Sequence, residues 1–554
     1  MTKDDFNPQS IRLPLFAGSV AAALFMCEAG TAAAQQAPQN PQTVTGLEVK
    51  GQPPVGYKAD EPALVKLTQP VIDTPQMLSI TTQQVMQDRG AVSLTDVFRN
   101  SSGISMAAGE SSWIGTNLTL RGFNARNDMY LDGMRDFAGY TRDPWDLSEV
   151  EVLEGPSSVL FGRGSTGGVV NQVSKTPTLN GFTAGEVSGG TDDLFRATAD
   201  IDTPLAQLGP GAAVRLDAMY HRQDFTDLDH AYASRWGIAP SIAFGLDTPT
   251  RLIFSYFHQQ ESDLPDYGLP YFRGAPAPVP RNNFYGFQSD FQDAQVNVFT
   301  GRLEHDVSSD LTFRDQLRYS DDAHQWREME PQVITTGVTA ATPLSAINVN
   351  RSLQGGHEVD TFLQNQMDLL GTAHTGAIEH DFTAGWEIGP ETINPTYDYG
   401  LNIPPTSLLT PNEDQAFSGT EYRRAKVSTH AFTVGGYFID TMKLGTHWEA
   451  TGGVRFDSFS THYVAQFYSP TPATLGEPTT SEDVHELDQK PSWRGSLIYK
   501  PTPNGSVYFD YSTSFDPSAE ALSLITAVRS LNQGNIGLAP EFNQTFEFGT
   551  KWAL

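Results

Sequence analysis

A two-residue alternation of apolar and polar side chains constrains this chain more than any other feature, and it recurs in long segments from about residue 181 onward. In the segment 448–457 (WEATGGVRFD), Trp448 and Phe456 fall on one face and Glu449 falls on the other. The same alternation recurs in DFTAGWEIG (381–389) and TFEFGTKW (545–552). Because successive side chains of a β-strand point to opposite faces, this pattern predicts an array of strands.

Two architectures satisfy this alternation. A soluble sandwich buries its apolar face, whereas an outer-membrane barrel turns that face toward lipid. Barrels carry short turns at one end and long loops at the other, and this chain has short turns such as 501–505 beside long polar stretches such as 262–288. No apolar run reaches the ~20 residues of a membrane helix, as expected for a barrel. We therefore predict an all-β transmembrane barrel over residues 181–554.

The charge balance limits the possible partners. The chain has 65 acidic and 35 basic residues, a formal net charge of −30. Such a surface would repel phosphates, so we expect no nucleic-acid partner.

The 49 glycines and 36 prolines favour a turn-rich β-structure over a helical one.

The N-terminus has the pattern of an export signal. An apolar stretch, Leu13–Cys27, precedes the small residues Ala32–Ala34, which predicts a secretory signal peptide over residues 1–34. A buried N-terminal helix is the alternative. Cys27 is the only cysteine and cleavage would remove it, so the mature chain would have no disulfide and no cysteine metal ligand.

Residues 35–69 are polar and proline-punctuated, which is typical of a flexible leader. One patch within this segment is rich in strand-forming residues. It could add as a strand to a partner's sheet edge or form a short linker strand. The patch comprises Thr43, Val44, Thr45, Gly46, Leu47, Glu48 and Val49.

Residues 70–176 have the pattern of a small mixed domain. Helices are predicted over 82–88 and 94–98, with Ser93 or Thr95 near a cap. Short strands are predicted over 117–121, 129–131 and 150–153.

A glycine-rich stretch of this domain, VLFGRGSTGGVV (159–170), has the spacing G-x-G-x-x-G at Gly162, Gly164 and Gly167. Glu186 lies about twenty residues further on, where a dinucleotide-binding loop would place its ribose-binding acid. Such a loop must open a helix, but the β-branched segment 169–173 follows here and favours a strand. The glycines are therefore assigned to tight turns and close packing, and Glu186 to the first barrel strand.

The segment VEVLEGPSSVLFGRGSTGGVVNQVSK (150–175) is preceded by LRGF (120–123) and MYLDG (129–133). These motifs, in this order, resemble the plug of the TonB-dependent siderophore receptors. Barrel pieces that match are GYFID (436–440), GVRFD (453–457), LIYKP (497–501) and YSTSF (511–515). The segments 135–137 and 140–143 look most like receptors for catecholate siderophores.

The resemblance implies a 22-stranded antiparallel barrel in the outer membrane of a Gram-negative bacterium, filled by an N-terminal plug domain, here residues 70–176. It implies active import of a ferric siderophore by a receptor that is no enzyme. No cofactor is expected, since the iron arrives in the siderophore complex. Residues 43–49 would be the TonB box, which pairs with TonB and its inner-membrane energising complex. The receptor would contact outer-membrane lipid as a monomer.

Two other functions stay open. The same fold could import another metal chelate, haem or a carbohydrate. The chain could instead be a passive channel, a surface receptor that does not transport, or a non-functional fragment.

By the family pattern, three turns of the plug face outward and contribute to ligand binding. An anionic iron chelate suits aromatic faces and arginines, which donate paired hydrogen bonds to catecholate oxygens. The candidates are Trp113, Arg126, Arg135, Tyr140 and Arg142. The alternative is that these arginines pair with acids of the plug, namely Asp128, Asp132, Asp136 or Asp143.

Arg121, in the LRGF motif, is implied to join a charge cluster between plug and barrel wall. A second basic residue is usual before the Gly-Pro of the plug, but this chain has Glu154 there. Glu154 could pair with Arg121, or it could weaken the contact of Arg121 with the barrel acid, for which Glu547 is the candidate.

No other chemistry emerges from the motifs. The 12 histidines are scattered without an H-E-x-x-H spacing, and no G-x-S-x-G is present. We therefore predict no catalytic residue and no metal site. The acid pairs Asp192–Asp193 and Asp321–Asp322 are assigned to solvated loops or turns.

The strand count raises a question about the C-terminus. Residues 181–554 comprise 374 positions, which at roughly 25 residues per strand and connection hold ~15 strands rather than 22. We therefore expect this sequence to be a fragment of a longer receptor, with a barrel incomplete at its C-terminus.

Overall fold

The computed structural model describes residues 56–106, 115–136, 139–228, 230–517 and 538–553. The predicted signal peptide, the predicted TonB box at 43–49 and Trp113 lie outside the described residues. The described chain forms a small mixed domain followed by one very large antiparallel sheet.

Short elements build the N-terminal domain, which corresponds to the predicted plug. Its helices are α1 (Gln83–Asp88), α2 (Leu94–Phe98) and α3 (Ser158–Phe161). Its strands are β1 (Leu78–Thr82), β2 (Ile104–Met106), β3 (Leu118–Leu120), β4 (Phe123–Asn124), β5 (Met129–Leu131), β6 (Met134–Arg135), β7 (Leu147–Glu154) and β8 (Gly168–Ser174). Five strands form a sheet in the order β1-β7-β8-β5-β6, in which β5 and β8 are parallel, and β2, β3 and β4 form a second sheet.

Side-chain caps explain where the two predicted helices begin. The Thr82 hydroxyl accepts a hydrogen bond from Val85 N at 3.4 Å and caps α1. The Ser93 hydroxyl accepts from Asp96 N at 3.3 Å, so Ser93 rather than Thr95 caps α2. The apolar faces of both helices pack on the plug strands in one core that includes Met86, Leu94, Val97, Phe98, Leu118, Leu120, Met129 and Val170.

Fourteen long strands make up the large sheet and pair antiparallel in chain order. They are β9 (Phe182–Gly189), β10 (Phe195–Pro204), β11 (Ala213–Asp224), β12 (Tyr232–Phe244), β13 (Thr250–Asp263), β16 (Phe291–Ser308), β17 (Leu311–Val333), β18 (Asn348–Thr375), β19 (Ile378–Ile393), β22 (Thr420–Lys443), β23 (Trp448–Tyr468), β24 (Pro478–Thr502), β25 (Gly505–Asp516) and β26 (Glu541–Trp552). Four short strands lie in the connections: β14 (Tyr271–Phe272), β15 (Ala275–Pro276), β20 (Thr396–Leu401) and β21 (Thr406–Ser407).

The two faces of the large sheet differ as the alternation predicted. Phe546 and Phe548 are 68% and 77% exposed, whereas Arg455 and Asp457 are 2% and 1% exposed. A soluble sandwich would show the reverse, with its charges outside. The apolar outer face and the charged inner face are those of a transmembrane barrel wall, with the plug against the inner face.

The two ends of the sheet also differ. Two-residue turns at 309–310, 376–377 and 503–504 lie at one end. The connections at the opposite end are much longer, among them 264–290, 334–347 and 394–419. In outer-membrane barrels short turns are periplasmic and long loops extracellular, so this asymmetry sets the orientation of the chain.

The glycine-rich stretch has the predicted role in packing. Gly162 and Gly164 have φ values of +81° and +73°, which favour glycine. A Cβ on Gly167 would lie 2.2 Å from Leu120 O, so only glycine allows this approach. Strand β8 follows the stretch, as predicted, where a dinucleotide loop would open a helix.

Residues 56–69, which the sequence placed in the leader, lie against the plug and the wall. Leu64 and Lys66 are 3% and 1% exposed. Glu151 accepts a hydrogen bond from Ala63 N at 2.6 Å, and Lys66 Nζ donates to Leu160 O at 2.8 Å.

None of the helices in the described part of the chain is both long and apolar enough to cross a membrane.

Candidate functional site

Arg121, Glu154 and Glu547 meet where the plug touches β26. Arg121 Nε donates to Glu154 Oε2 at 2.9 Å, and Nη1 donates to Glu547 Oε2 at 3.1 Å. Glu154 therefore pairs with Arg121 without displacing the barrel acid. Burial disfavours the cation, but the two carboxylates raise the pKa of Arg121 above its ordinary value.

Backbone geometry positions this three-residue cluster. Arg121 has a φ of +49° directly after β3, and its N–H donates to Gly103 O at 2.7 Å. A Cβ on Gly103 would lie 2.6 Å from Glu154 Oε2, so glycine leaves room for the carboxylate. On the wall, Glu547 also accepts from Tyr508 Oη at 2.7 Å.

Further ion pairs join the plug to the inner wall, and the sequence analysis did not find them. Arg163 Nη2 donates to both carboxylate oxygens of Glu391 at 2.8 and 2.9 Å. Other pairs are Asp143 with Arg196 (2.7 Å) and Arg235 (2.9 Å), Arg318 with Asp132 (3.1 Å), Lys175 with Asp217 (2.8 Å) and Asp200 (3.0 Å), Lys500 with Asp73 (2.6 Å) and Lys66 with Glu387 (3.9 Å). The only sequence signal was the charge on the inward face of the alternating segments, because the partners lie far apart in the chain.

Arg126 is the one described candidate for ligand binding that is not buried. Its surroundings on the wall are acidic, with Glu358 and Asp360 of β18 acting on its charge. Partial loss of water around its half-buried side chain lowers the pKa of Arg126 to about 10, which still leaves it cationic at neutral pH. Arg126 can therefore offer a positive charge to a ligand.

Arg135 is held inside the plug. It is 8% exposed, donates to Asn127 O at 3.2 Å and also to Arg163 O, and its guanidinium lies 5.5 Å from the centre of the Tyr130 ring. These contacts hold Arg135 against two plug carbonyls and the Tyr130 ring.

Tyr140 and Arg142 are buried against the wall instead of facing outward. Arg142 Nε donates to Asp136 Oδ2 at 2.7 Å, which is the internal pairing considered as the alternative. The centre of the Tyr140 ring lies 4.7 Å from the guanidinium carbon of Arg142 and 5.9 Å from the centre of the Phe257 ring. Burial raises the pKa of the Tyr140 hydroxyl well above its ordinary value. A role in ligand binding stays a prediction for these residues, and it requires these contacts to open.

The assignment of Asp321–Asp322 to a solvated turn is wrong. Both lie within β17 and are 7% and 3% exposed. Asp322 Oδ2 accepts a hydrogen bond from Gly139 N at 2.7 Å, so this acid holds a turn of the plug. Two adjacent acids can lie in one strand because the strand turns them to opposite faces. The other pair, Asp192–Asp193, does lie in a turn.

Acids dominate the inner wall around the outer turns of the plug. Asp322 lies opposite Asp360 in the register of β17 and β18, and Glu358 lies two residues before Asp360. Glu261 accepts from Thr141 N at 2.7 Å. All four are at most 3% exposed, so the outer turns of the plug face a group of buried acids.

A partly open cavity lies between the plug and the wall. Arg135 and Arg163 line it from the plug, and Glu387, Glu391 and Thr433 line it from β19 and β22. The ion pair of Arg163 and Glu391 therefore borders free space.

Comparisons with known proteins account for both parts of this architecture. Residues 70–169 match the family model described as the TonB-dependent receptor plug domain. Residues 235–554 match the model described as the TonB-dependent receptor-like β-barrel.

Individual relatives share the sequence and the fold. The chain is 29% identical over 547 residues to the catecholate siderophore receptor Fiu of Escherichia coli K12, covering 92% of this chain and 70% of Fiu. It is 31% identical to the probable TonB-dependent receptor BfrD of Bordetella pertussis, covering 97% of this chain and 73% of BfrD. The crystal structure of Fiu in its closed form superposes with a TM-score of 0.82 at 29% identity, covering 90% of this chain and 73% of that one. These relatives are transport receptors rather than enzymes.

Removal of Arg121 tests how strongly the cluster of Arg121, Glu154 and Glu547 holds the plug to the wall. Replacing Arg121 with alanine leaves the carboxylates of Glu154 and Glu547 close together without a cation. We expect this to cost about 1–3 kcal/mol of plug stability, because buried carboxylates lose their charged partner. Hydrogen–deuterium exchange of the purified receptor should show faster exchange in β3 and β7.

Two comparison variants isolate this effect. Arg99→Ala removes an arginine whose side chain is 70% exposed beside Asp96, and exchange in β3 and β7 should not change. Adding Glu547→Gln to Arg121→Ala should restore part of the protection. Unchanged exchange in Arg121→Ala would show that the cluster does not hold the plug.

Proposed function

Since the chain belongs to the TonB-dependent receptor family, we propose that it imports a ferric siderophore across the outer membrane of a Gram-negative bacterium with energy delivered by TonB. Members of this family are outer-membrane β-barrels. The apolar outer face and the unequal ends of the sheet support the same location.

The observation that carries the proposal is a plug held to the wall by polar contacts. Charged pairs such as Arg163–Glu391 and Arg121–Glu547 fix its position, while its own apolar core keeps it folded. Polar contacts can exchange with water at modest net cost, whereas an apolar interface would lose its burial. Such a plug suits a receptor that must stay closed at rest and open on demand.

The name of Fiu supports a catecholate cargo, and Arg126 offers a cation to an anionic iron complex. We propose that the ligand binds at the end of the sheet with the long loops. There a folded cluster of Phe272, Tyr285, Ile347, Val349 and Leu408 supports the loops around the opening.

A specific observation favours a second cargo class. Glu261, Asp322, Glu358 and Asp360 surround the outer turns of the plug, and both carboxylate oxygens of Glu358 are buried without a hydrogen bond. Acids that are ionised at this place oppose a multiply anionic complex and attract a cationic one. The second candidate is therefore an iron chelate that carries a positive group, such as a hydroxamate complex with a free ammonium.

Energy coupling can be tested in cells that express the receptor. Deleting residues 43–49, the predicted TonB box, should abolish uptake of radiolabelled iron siderophore while binding at the cell surface persists. Deletion of an equal number of residues at 35–41 serves as the control and should leave uptake intact. Uptake that persists after deletion of 43–49 would exclude TonB-driven import and favour a passive channel.

The two cargo classes can be distinguished by opposite charge substitutions. For an anionic catecholate complex, Arg126→Gln should weaken binding at least tenfold and Glu358→Gln should strengthen it. For a cationic hydroxamate complex, Glu358→Gln should weaken binding and Arg126→Gln should strengthen it. Quenching of tryptophan fluorescence in the purified receptor measures both. If neither complex binds, import of a ferric siderophore is contradicted.

A further inference from the structure

Two histidines and an aspartate converge on the outer surface, away from the plug. His462 of β23 and His485 of β24 are direct partners in the register, and their rings stack at 3.9 Å between centroids with 12° between planes. Asp483 lies two residues before His485 and so shares its face of β24. Antiparallel pairing creates this group, which is why the spacing of the histidines along the chain did not reveal it.

The ligand atoms of the three side chains are already close. Asp483 Oδ1 lies 3.0 Å from His462 Nε2 and 3.6 Å from His485 Nε2. All three atoms lie within 4.8 Å of one another. Ligand atoms around a tetrahedral zinc ion lie ~3.3 Å apart, since its bonds to nitrogen and oxygen are ~2.0–2.2 Å long. Rotation of the two imidazole rings out of their stacked arrangement would turn both Nε2 atoms toward one ion.

We propose that His462, Asp483 and His485 form a binding site for a divalent transition-metal ion of the zinc class. Two imidazoles with one carboxylate suit Zn²⁺, Cu²⁺ or Ni²⁺, whereas Mg²⁺ and Ca²⁺ require oxygen ligands. The side chains are 39%, 68% and 71% exposed, so water can complete the coordination. His430, opposite His462 on β22, adds another imidazole beside the site.

The position of the site in the sheet indicates its surroundings. His462 has the same outward orientation as Phe456, which is 52% exposed, and His485 has that of Leu487, which is 61% exposed. Trp448 begins β23 at the end of the sheet with the short turns, and His462 lies fourteen residues further along the same strand. At ~3.3 Å per residue and a tilt of ~40°, this is a rise of ~35 Å, beyond an apolar band ~25 Å tall. The site therefore lies outside the lipid, near the loop 469–477.

A metal ion at this point would fasten β23 to β24 next to an extracellular loop. The hairpin belongs to the rim through which a cargo must pass, so the ion would stiffen that rim. The site does not depend on the identity of the cargo or on TonB, because its three ligands come from two strands of the wall alone.

Calorimetric titration of the purified receptor in detergent with ZnCl₂ tests the proposal. Millimolar MgCl₂ is present throughout so that carboxylates elsewhere are occupied. We expect one Zn²⁺ per chain, with the affinity reduced at least tenfold in His462→Ala and in His485→Ala. His374→Ala is the matched control, because His374 lies 3.6 Å from Glu379 and belongs to no group of three such ligands in the described part of the chain.

A spectroscopic measurement identifies the metal ligands directly. It therefore decides the test even if a variant binds Zn²⁺ more weakly because its fold has changed. Electron paramagnetic resonance of Cu²⁺ added to the wild-type receptor should show coupling to two imidazole nitrogens. His485→Ala should show coupling to one. Equal Zn²⁺ affinity in the wild-type receptor and His485→Ala, or a Cu²⁺ spectrum without imidazole coupling, would overturn the proposal. Neither measurement depends on siderophore uptake.

Discussion

Charges on the inner face of the large sheet require partners, because an enclosed charge that lacks one costs several kcal/mol. The plug supplies these partners. Asp143 receives two arginines of the wall, Arg196 and Arg235, and Arg163 of the plug reaches Glu391. Ion pairs around the circumference of the plug therefore fix its position. The same ion pairs supply partners for buried charges of the wall.

Two kinds of stabilisation are thus separated in space. The plug has an apolar core of its own, built from α1, α2 and its strands. Its surface against the wall carries the ion pairs and, in addition, an apolar patch where Trp145 packs on Phe257. The first contacts after the leader lie near the short-turn end of the sheet, where Asp73 pairs with Lys500 and Lys551 donates to Val71 O and Thr74 O at 2.8 Å. A force applied through the leader would first meet the contacts of residues 56–69, such as Lys66 Nζ with Leu160 O at 2.8 Å, and then these polar contacts.

The sequence predicted the features that depend on local pattern. Alternation assigned the faces of β19, β23 and β26 correctly, since a strand places neighbouring side chains on opposite faces. The cap at Ser93, one of the two residues expected near a cap, and the strand after Gly167 were equally local. The local pattern could not predict which charged residues of plug and wall pair with each other, because partners such as Arg163 and Glu391 lie 228 positions apart. The burial of Asp322 was missed because two adjacent acids resemble a turn, and the group around His462 exists only through the register of two strands.

A reversible lock between plug and wall tests most directly whether the plug must move for import. Thr166 Oγ1 of the plug lies 3.1 Å from Ser514 Oγ of β25, a separation that suits a disulfide after Thr166→Cys and Ser514→Cys. Uptake of iron siderophore is then compared before and after reduction, with each single cysteine variant as control. The account predicts that the locked receptor binds its cargo but does not import it, and that reduction restores import. Import at the wild-type rate with the disulfide intact would contradict it.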